Sequence, residues 1–422
     1  MIDIKKFRED PHAFAKAAAD KNVEIDVSHI LDLDRAVRAL KGDMEQIASE
    51  KNAASDQIAT ASDSDKKTMI EEMRIVGRKE DDLKAEFAPK QEELTELLYR
   101  IPNPALEDVT VSASEDDNEV VRTVGEKPMF SFTPKDHVEL GEALGIIDIK
   151  SAAEASGARF TYLKGDGVFL QLALQQYALS IAKKFGHEPI IVPNLVRARS
   201  MRAMGYLEHG GHDEIYYLSK DNLYLIGTSE QALGPMYFDK TFSESDLPLR
   251  SVGISPCYRR EAGSYGKDTK GILRLHQFDK VEFFSVTTPE ESEAEHERIL
   301  EMEEELMTGL GLHYQVIKMV TGDLGLPAAR KYDIEAWLPT QDTFRETHSC
   351  STTTDFQARR LNTKFKTKEG KVQHVHMLNG TAFAMGRTIL SILENFQLED
   401  GRIAIPSVLQ PFMSGQTHIE AK

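Results

Sequence analysis

Between residues 28 and 100, apolar side chains recur at alternating intervals of three and four residues, which is the spacing of a coiled-coil seam. In the first half the seam positions are Ile30, Leu33, Val37, Leu40, Met44, Ile47, Ala54 and Ile58. In the second half they are Met69, Met73, Val76, Leu83, Phe87, Leu94 and Leu97. Polar residues 60–65 interrupt the pattern. Because two helices of similar length joined by a short turn pack side by side, the sequence predicts an antiparallel two-helix coiled-coil arm.

The chain changes its pattern after the arm. Ile101-Pro-Asn-Pro104 ends the helical periodicity, and the acidic, aperiodic segment that follows predicts a linker. Strand-like runs at 224–226 and 281–286 then accompany helical stretches such as 290–310. This mixture predicts an α+β domain built on a mainly antiparallel sheet with flanking helices. The predicted organisation is an N-terminal domain at 1–103 with the arm at about 28–100, a linker at 104–125 and a second domain at 126–422.

Composition narrows the possible partners and compartment. The net charge of −18 argues against nucleic-acid binding over the whole surface, because phosphate binding depends on Lys and Arg. Cys257 and Cys350 are the only cysteines and lie far apart, so neither a disulfide framework nor a structural zinc site is expected. The N-terminus is charged, and no apolar run is long enough to span a membrane. We therefore expect a cytoplasmic protein with no membrane contact.

A charged segment near residue 260 is the first candidate for chemistry. Arg259 and Glu261 precede a Gly- and Lys-rich loop at 263–271, and Arg274 and Glu282 follow it. If two strands flank this loop, the four side chains alternate on one face of the sheet. Arginines could then hold phosphates as bidentate forks while the carboxylates accept from ligand amino groups. The alternative is a solvated hairpin with cross-strand ion pairs.

A second candidate is the start of an apolar helix near the C-terminus. Gly386 and Arg387 open the helical stretch 388–396, after the small-residue approach 378–384. A cation at the N-terminus of a helix opposes the helix dipole unless an anion lies nearby. This position therefore indicates an anion, such as a phosphate group, beside Arg387.

Together these segments resemble motifs 2 and 3 of class II aminoacyl-tRNA synthetases, and more narrowly the seryl-tRNA synthetases. The resemblance runs almost end to end: it includes the start at residues 1–4, the helical arm, the junction at 101–104 and SCSTTTDFQARR at 349–360. It implies the class II antiparallel sheet with flanking helices. It also implies ATP-dependent activation of L-serine to seryl-adenylate, followed by transfer to the 3′ end of tRNA.

The resemblance implies an ATP site. Arg259 would hold the α-phosphate, Glu261 the adenine amino group and Arg387 the γ-phosphate, while Phe278 would stack on the adenine. Glu346 and Ser349 would bind Mg²⁺ together with ATP, although His348 stands where this family more often has a small serine. The full implied set is Arg259, Arg260, Glu261, Arg274, Phe278, Glu346, Thr347, His348, Ser349 and Arg387, with Arg259 and Arg387 as the catalytic residues.

The resemblance also implies a pocket for the amino acid. Its residues would be Thr228, Ser229, Glu230, Glu282, Asn379 and Thr381. Carboxylates suit the ammonium and hydroxyl groups of serine, and small hydroxyl side chains keep a pocket short. The alternative for Thr228 and Thr381 is that their hydroxyls satisfy backbone groups. Because no editing domain is apparent, the selection of serine should depend on this pocket.

The expected partners are tRNA(Ser), with tRNA(Sec) as a further candidate, and a second copy of the chain. In the family, the segment corresponding to 167–193 forms a helix and strand at a homodimer interface; the alternative is a plain core helix. The arm carries 12 Lys or Arg against 18 Asp or Glu over residues 26–100, a net charge of −6. Its cations nevertheless cluster just after the predicted turn, at Lys66, Lys67, Arg74, Arg78 and Lys79, with Lys51 and Asn52 at about the facing level.

An ordinary charged coiled-coil exterior is the alternative for this basic cluster. Two alternatives also remain for the whole chain. One is an amino-acid ligase with a class II core that loads a carrier protein; such relatives lack the arm and use a cysteine-containing zinc site. The other is an inactive relative that binds RNA or acts as a scaffold through its coiled coil.

Overall fold

The computed structural model describes residues 1–262 and 270–421. Most of the loop expected at 263–271 therefore lies outside the described residues. The chain forms two compact units. The smaller unit contains residues 1–19 and 23–102, and the larger contains 20–22 and 103–422.

Among the described residues, the smaller unit contains helices, and the larger unit contains helices and all the strands. The helices are α1 (Ile4–Glu9), α2 (Pro11–Ala19), α3 (Val27–Thr60), α4 (Asp63–Arg100), α5 (His137–Ala143), α6 (Ile149–Ser156), α7 (Asp166–Lys184), α8 (Ala198–Met204), α9 (Gly211–Glu214), α10 (Glu230–Leu233), α11 (Ser292–Leu310), α12 (Phe356–Leu361) and α13 (Met385–Asn395). The strands are β1 (Glu119–Val124), β2 (Ile147–Asp148), β3 (Tyr162–Leu163), β4 (Glu188–Ile191), β5 (Leu195–Arg197), β6 (Tyr217–Leu218), β7 (Leu223–Leu225), β8 (Thr241–Ser243), β9 (Leu249–Tyr258), β10 (Gln277–Thr287), β11 (Tyr314–Lys318), β12 (Arg330–Leu338), β13 (Thr343–Thr352), β14 (Lys364–Lys366), β15 (Val372–His374), β16 (His376–Ala384), β17 (Ile403–Ala404) and β18 (His418–Ile419).

The two-helix arm of the smaller unit is present, as the seam predicted. Helix α3 has 34 residues and α4 has 38, and only Ala61 and Ser62 separate them. The Ser62 hydroxyl caps α4 by accepting from the Asp65 amide, which satisfies one of the free N–H groups at the helix start. The seam residues Ile30, Leu33, Val37 and Leu94 pack near the base of the arm into an apolar cluster. Leu98 is the buried residue at the end of α4, whereas the predicted Leu97 is partly buried.

A polar pair occupies the middle of the arm. The Lys51 ammonium of α3 donates to Glu80 of α4 across 2.7 Å, and Lys84 lies on the other Glu80 oxygen. The hydrogen bonds from Lys51 and then Lys84 lower the pKa of Glu80 to about 2. Two polar positions that interrupt the apolar seams therefore face each other.

The larger unit is built on an eight-stranded sheet with the order β1-β11-β12-β13-β16-β10-β9-β4. Every neighbouring pair is antiparallel except β4 and β9. Helices α7, α11 and α13 pack against this sheet, and apolar residues of all three join one large core, as with Leu174, Ile299 and Ile392. The predicted α+β class with a mainly antiparallel sheet is confirmed.

The structure differs from the sequence prediction in the expected linker, 104–125. Residues 119–124 form β1 at the edge of the main sheet, paired with β11. Val109 is 5% exposed and packs with Ile317 and Met319. This short segment has no periodicity because it follows the edge of the sheet and buries few side chains. No helix of the described residues is long and apolar enough to cross a membrane.

Candidate active site

The centre of the main sheet carries a pocket formed by β10, β13, β16, the start of α13 and the segments that join β9 to β10. Most of the residues expected to bind ATP lie together in its wall. The lining residues are Arg259, Glu261, Ile272, Leu273, Arg274, Leu275, Phe278, Lys280, Glu346, Thr347, Ser349, Thr381, Ala384, Gly386 and Arg387.

At one end of the pocket, Arg387 and Glu346 form an ion pair. The Arg387 guanidinium donates to the Glu346 carboxylate at 3.0 Å and to its main-chain carbonyl at 2.9 Å. Desolvation alone would raise the pKa of Glu346, but the charges of Arg387 and Lys331 outweigh it and lower the pKa. Arg387 lies in the first turn of α13, as predicted. A fixed cation is therefore held where a helix N-terminus also favours an anion.

The neighbouring wall combines arginine with an aromatic ring. The Arg259 guanidinium carbon lies 5.4 Å from the Phe278 ring centroid, and its Nε donates to the Gly227 carbonyl at 3.2 Å. Arg274 donates to the Glu261 carboxylate at 3.0 Å. The expected charges are thus brought together, and the ion pair that the alternative interpretation foresaw lies within the pocket wall.

The prediction that the four charges lie on strands is confirmed for Glu282, which is on β10, and wrong for the other three. Strand β9 ends at Tyr258 and β10 begins at Gln277, so Arg259, Glu261 and Arg274 belong to the connection between them. Glu261 has a backbone φ of 55°, a value that residues other than glycine rarely adopt. Backbone strain of this kind is concentrated at active sites and ligand-binding segments, where functional side chains have to be oriented.

Two residues of the implied ATP set lie outside the pocket wall. His348 is 1% exposed and packs against Phe383, with ring centroids 5.7 Å apart. Burial lowers its pKa to about 3, so the imidazole is neutral at neutral pH. Arg260 is exposed, and its guanidinium lies 5.7 Å from the Tyr216 ring.

The pocket is also lined by the predicted hydroxyl residues Ser349 and Thr381 and by Lys280, which sequence reasoning missed. The Thr381 and Ser349 hydroxyl oxygens are 3.4 Å apart. Lys280 is 6% exposed, forms an ion pair with Glu282 and donates to the Thr228 hydroxyl at 3.3 Å. Its position two residues before Glu282 puts both on one face of β10, which is a signal the sequence contained.

Glu230 belongs to a buried hydrogen-bond network close to Glu282 and Lys280. Its two carboxylate oxygens accept from the Tyr206 hydroxyl at 2.7 Å and from the Gln357 amide at 2.5 Å. Burial, and then the charge of Glu282, raise the pKa of Glu230 to about 7. Tyr206 and Gln357 were not predicted as site residues, because only the fold brings the segment after α8 and helix α12 to this position.

Ser229 and Asn379, which were expected to bind serine, lie outside the pocket wall. The Ser229 hydroxyl is 2.8 Å from the Ser255 hydroxyl, in a fully buried pair. Asn379 is 8% exposed and precedes Thr381 by two residues on β16, so it faces the same side of the sheet. Neither residue lines the pocket that holds Arg387.

Comparison with known proteins agrees with this geometry. The family model of the tRNA synthetase class II core domain (G, H, P, S and T) matches residues 216–396, which include every residue that lines the pocket. The fold and the site thus define a class II aminoacyl-tRNA synthetase. The model of the seryl-tRNA synthetase N-terminal domain matches residues 1–105.

Individual relatives narrow the class. The serine–tRNA ligase of Clavibacter michiganensis subsp. michiganensis is 43% identical, with 100% of this chain and 98% of the relative covered. The seryl-tRNA synthetase from Pyrococcus horikoshii, solved in complex with ATP, matches over 100% of both chains with a TM-score of 0.91 and 37% identity. The cytoplasmic serine–tRNA ligase of Naegleria fowleri, in complex with AMP, has a TM-score of 0.86 and 33% identity over 100% of this chain and 99% of its own.

The chain belongs to the seryl-tRNA synthetase family, whose members attach serine to tRNA. The resemblance inferred from the motifs is thereby confirmed. The alternative of a carrier-protein ligase without an arm does not fit a chain whose N-terminal domain and core both match this family.

Proposed function

We propose that the pocket binds ATP and L-serine side by side, with ATP at the Arg387 end and serine at the Thr381 end. One observation carries this assignment: a single pocket is lined by arginines, an aromatic ring and the hydroxyl side chains of Ser349 and Thr381. Arg259 and Arg387 would bind the phosphates, Arg274 would assist them, and Phe278 would stack on the adenine while Glu261 accepts from its amino group. The geometry gives His348 and Arg260 no direct place in this assignment.

Magnesium would accompany ATP. The Glu346 carboxylate and the Ser349 hydroxyl both line the pocket, and oxygen ligands of this kind suit Mg²⁺, which keeps several waters and phosphate oxygens. Within residues 1–262 and 270–421, no group of three His, Cys, Asp or Glu side chains could hold a metal by itself. A metal bound between two protein oxygens and the phosphates of ATP fits that finding. When bound, it would neutralise phosphate charge.

The reaction then needs positioning more than proton transfer. The serine carboxylate is ionised at neutral pH and attacks the α-phosphorus of ATP, which displaces pyrophosphate. Arg259 and Arg387 would stabilise the negative charge that develops on the phosphates. The 3′-hydroxyl of the terminal ribose of tRNA then attacks the carbonyl carbon of seryl-adenylate and displaces AMP.

Serine selection would rest on the buried polar groups at the Thr381 end. A site whose buried groups hydrogen-bond a substrate hydroxyl discriminates strongly against an analogue that lacks it, because those groups would remain unpaired. Pyrophosphate exchange with serine, threonine, alanine and glycine is the direct test of the proposed function. Absence of exchange with serine would exclude it and would favour the inactive, RNA-binding alternative.

Replacing Thr381 with valine should separate the two ends of the pocket. The change removes one hydroxyl and keeps the shape, so we expect the KM for serine to rise roughly tenfold or more while the KM for ATP stays within about twofold. Steady-state pyrophosphate exchange measures both. Thr343→Val, at an exposed end of β13, is the matched control. A similar rise in both KM values would contradict the assignment of Thr381 to serine.

Homodimer formation is the second part of the proposal. Helix α7 and strand β4 occur where the motif 1 helix and strand were expected, within 167–193. Several apolar side chains there are exposed, including Phe169 at 57% and Ile191 at 85%. Several exposed apolar residues within this one segment support an interface between copies of the chain.

The double variant Phe169→Asp/Ile191→Asp should be monomeric. Two carboxylates at the centre of the proposed interface would be desolvated without partners, so dimer affinity should fall by at least about a hundredfold. Light scattering coupled to gel filtration would show the change in mass. Val372→Asp, which alters an exposed apolar residue of β15, serves as the control. The proposal fails if the wild-type protein is a monomer or if the double variant keeps the wild-type mass.

The smaller unit, with its arm, is the proposed tRNA-binding domain, and residues 126–422 are the proposed catalytic domain. The arm would recognise the shape of tRNA(Ser), because proteins bind double-stranded RNA largely through backbone and shape. A selenocysteine tRNA of similar shape is a further candidate, which charging of both transcripts would test. Cys257 and Cys350 are free and buried, in keeping with the proposed cytoplasmic location.

A further inference from the structure

The acid side chain of Glu303 is completely buried beneath the sheet, close to the proposed serine pocket. Glu303 lies on α11 and is 0% exposed. Among the described residues, neither of its carboxyl oxygens has a hydrogen-bond partner of good geometry. Burial, and then the charges of Glu282 and Asp333, raise the pKa of Glu303 well above its usual value. An unpaired polar group in a core is costly and calls for a reason.

Glu303 lies directly under Gly380 of β16. A Cβ atom added at Gly380 would be 2.6 Å from a Glu303 carboxyl oxygen and 2.3 Å from Ile299, which is too close for either. Residue 380 therefore has to be glycine, and the missing side chain gives the carboxyl group its space. Because neighbouring residues of a strand face opposite sides, Thr381 points away from α11 and into the pocket.

The hydrogen-bonded ladder of the sheet is interrupted at this point. Pairing between β13 and β16 ends with Cys350 opposite Gly380, and the register with β10 shifts immediately after Thr381. Thr381 therefore lacks the regular support of a central-strand residue. The Thr381 main-chain amide is close enough to the Glu303 carboxyl group to oppose the rise in its pKa, but it makes no hydrogen bond of good geometry with either oxygen. Glu303 thus lies beneath the point where the pairing of β16 with β13 ends and β16 continues as part of the pocket wall.

We propose that Glu303 is a positioning residue for serine binding, which supports the Gly380–Thr381 backbone from the α11 side and so fixes the Thr381 hydroxyl in the pocket. This inference rests on the proposed assignment of Thr381 to serine. A merely structural role is disfavoured, because an apolar side chain of similar size would fill the same space without an unpaired buried acid. Groups that cost stability yet are placed against a binding wall are typical of a trade between stability and function.

The test compares Glu303→Met and Glu303→Gln with the wild-type protein in pyrophosphate exchange and thermal unfolding. In Glu303→Met, which keeps the volume but not the polar group, the Tm should stay the same or rise. The KM for serine should increase roughly tenfold and the KM for ATP should change by less than about twofold. In Glu303→Gln, which keeps a donor and an acceptor, the KM for serine should return to within about threefold of wild type. Glu301→Met, an exposed change on the same helix, is the control.

Three outcomes would overturn the proposal: an unchanged KM for serine in Glu303→Met, equal increases in the KM values for serine and ATP, or loss of the folded state. Comparison with Thr381→Val separates this inference from the proposed function. If Thr381→Val raises the KM for serine and Glu303→Met does not, only the positioning role fails. If neither variant affects serine, the pocket assignment itself is wrong.

Discussion

Replacing Arg387 with alanine should lower kcat/KM for ATP in serine-dependent pyrophosphate exchange by about a thousandfold. Removal of one preorganised group that stabilises transition-state charge typically costs two to three orders of magnitude, and here a second effect adds to it. Arg387 is the ion-pair partner of Glu346, so the variant also leaves a carboxylate in the pocket without its cation. That negative charge would repel the phosphates that the pocket is proposed to bind.

Arg387→Lys should be intermediate in this assay, because lysine keeps the charge but lacks the second nitrogen with which Arg387 contacts the Leu273 carbonyl at 3.4 Å while it holds Glu346. Arg402→Ala removes an arginine that pairs with Asp400 at the protein surface and should have no measurable effect. Retention of more than about a tenth of the wild-type kcat/KM by Arg387→Ala would rule out a central role for this residue.

Reversing the charge of the basic cluster near the arm turn should reduce tRNA charging and leave serine-dependent pyrophosphate exchange intact. Four of its residues, Lys67, Arg74, Arg78 and Lys79, are exposed, and Lys66 is half-exposed. Replacing all five with glutamate should reduce kcat/KM for tRNA charging by about a hundredfold or more, because each lost phosphate contact weakens binding. Serine-dependent pyrophosphate exchange needs no tRNA and should be unchanged. Lys51 was expected at the same level but is engaged with Glu80.

A matched control reverses five exposed lysines of the larger unit, namely Lys150, Lys220, Lys366, Lys368 and Lys371. This variant has the same change in net charge, so it shows whether the arm cations act through their position or only through total charge. The arm variant should also show a weaker dependence of the KM for tRNA on salt. Equal losses of charging and exchange, or equal losses in both variants, would contradict the proposed tRNA contact.

The elements whose side chains repeat with a clear period were predictable from the sequence. The seam that begins at Ile30 predicted α3 and α4, and the apolar stretch after Arg387 predicted α13. Strand β1 gave no such signal. An edge strand of six residues with mostly exposed side chains has no apolar face that repeats along the sequence. Periodicity therefore predicts elements that bury one face, and it misses those held mainly by backbone pairing.

The same limit applies to the site. Arg259, Phe278 and Arg387 could be proposed from motif resemblance, and they do lie in one pocket. Tyr206, Gln357 and Glu303 could not, because each acts on a neighbour that is distant in sequence and near only after folding. His348 shows the reverse case: it lies within a motif, but the alternation of β13 turns its ring toward Phe383 and the core.

The pair formed by Lys51 and Glu80 fixes how the two helices of the arm align along each other. Helix packing along an apolar seam tolerates slippage by one heptad, which would shift one helix by about 10 Å along the other. Such a slip would place Lys51 and Glu80 against apolar neighbours and leave Lys51 without its partner, although Glu80 would keep Lys84 of its own helix. The polar pair therefore favours a single register. The cations near the turn are thereby kept at a constant distance from the apolar base around Ile30 and Leu98. The arm can then act as a ruler, which would let the enzyme discriminate among RNAs by the distance between features rather than by their base sequence.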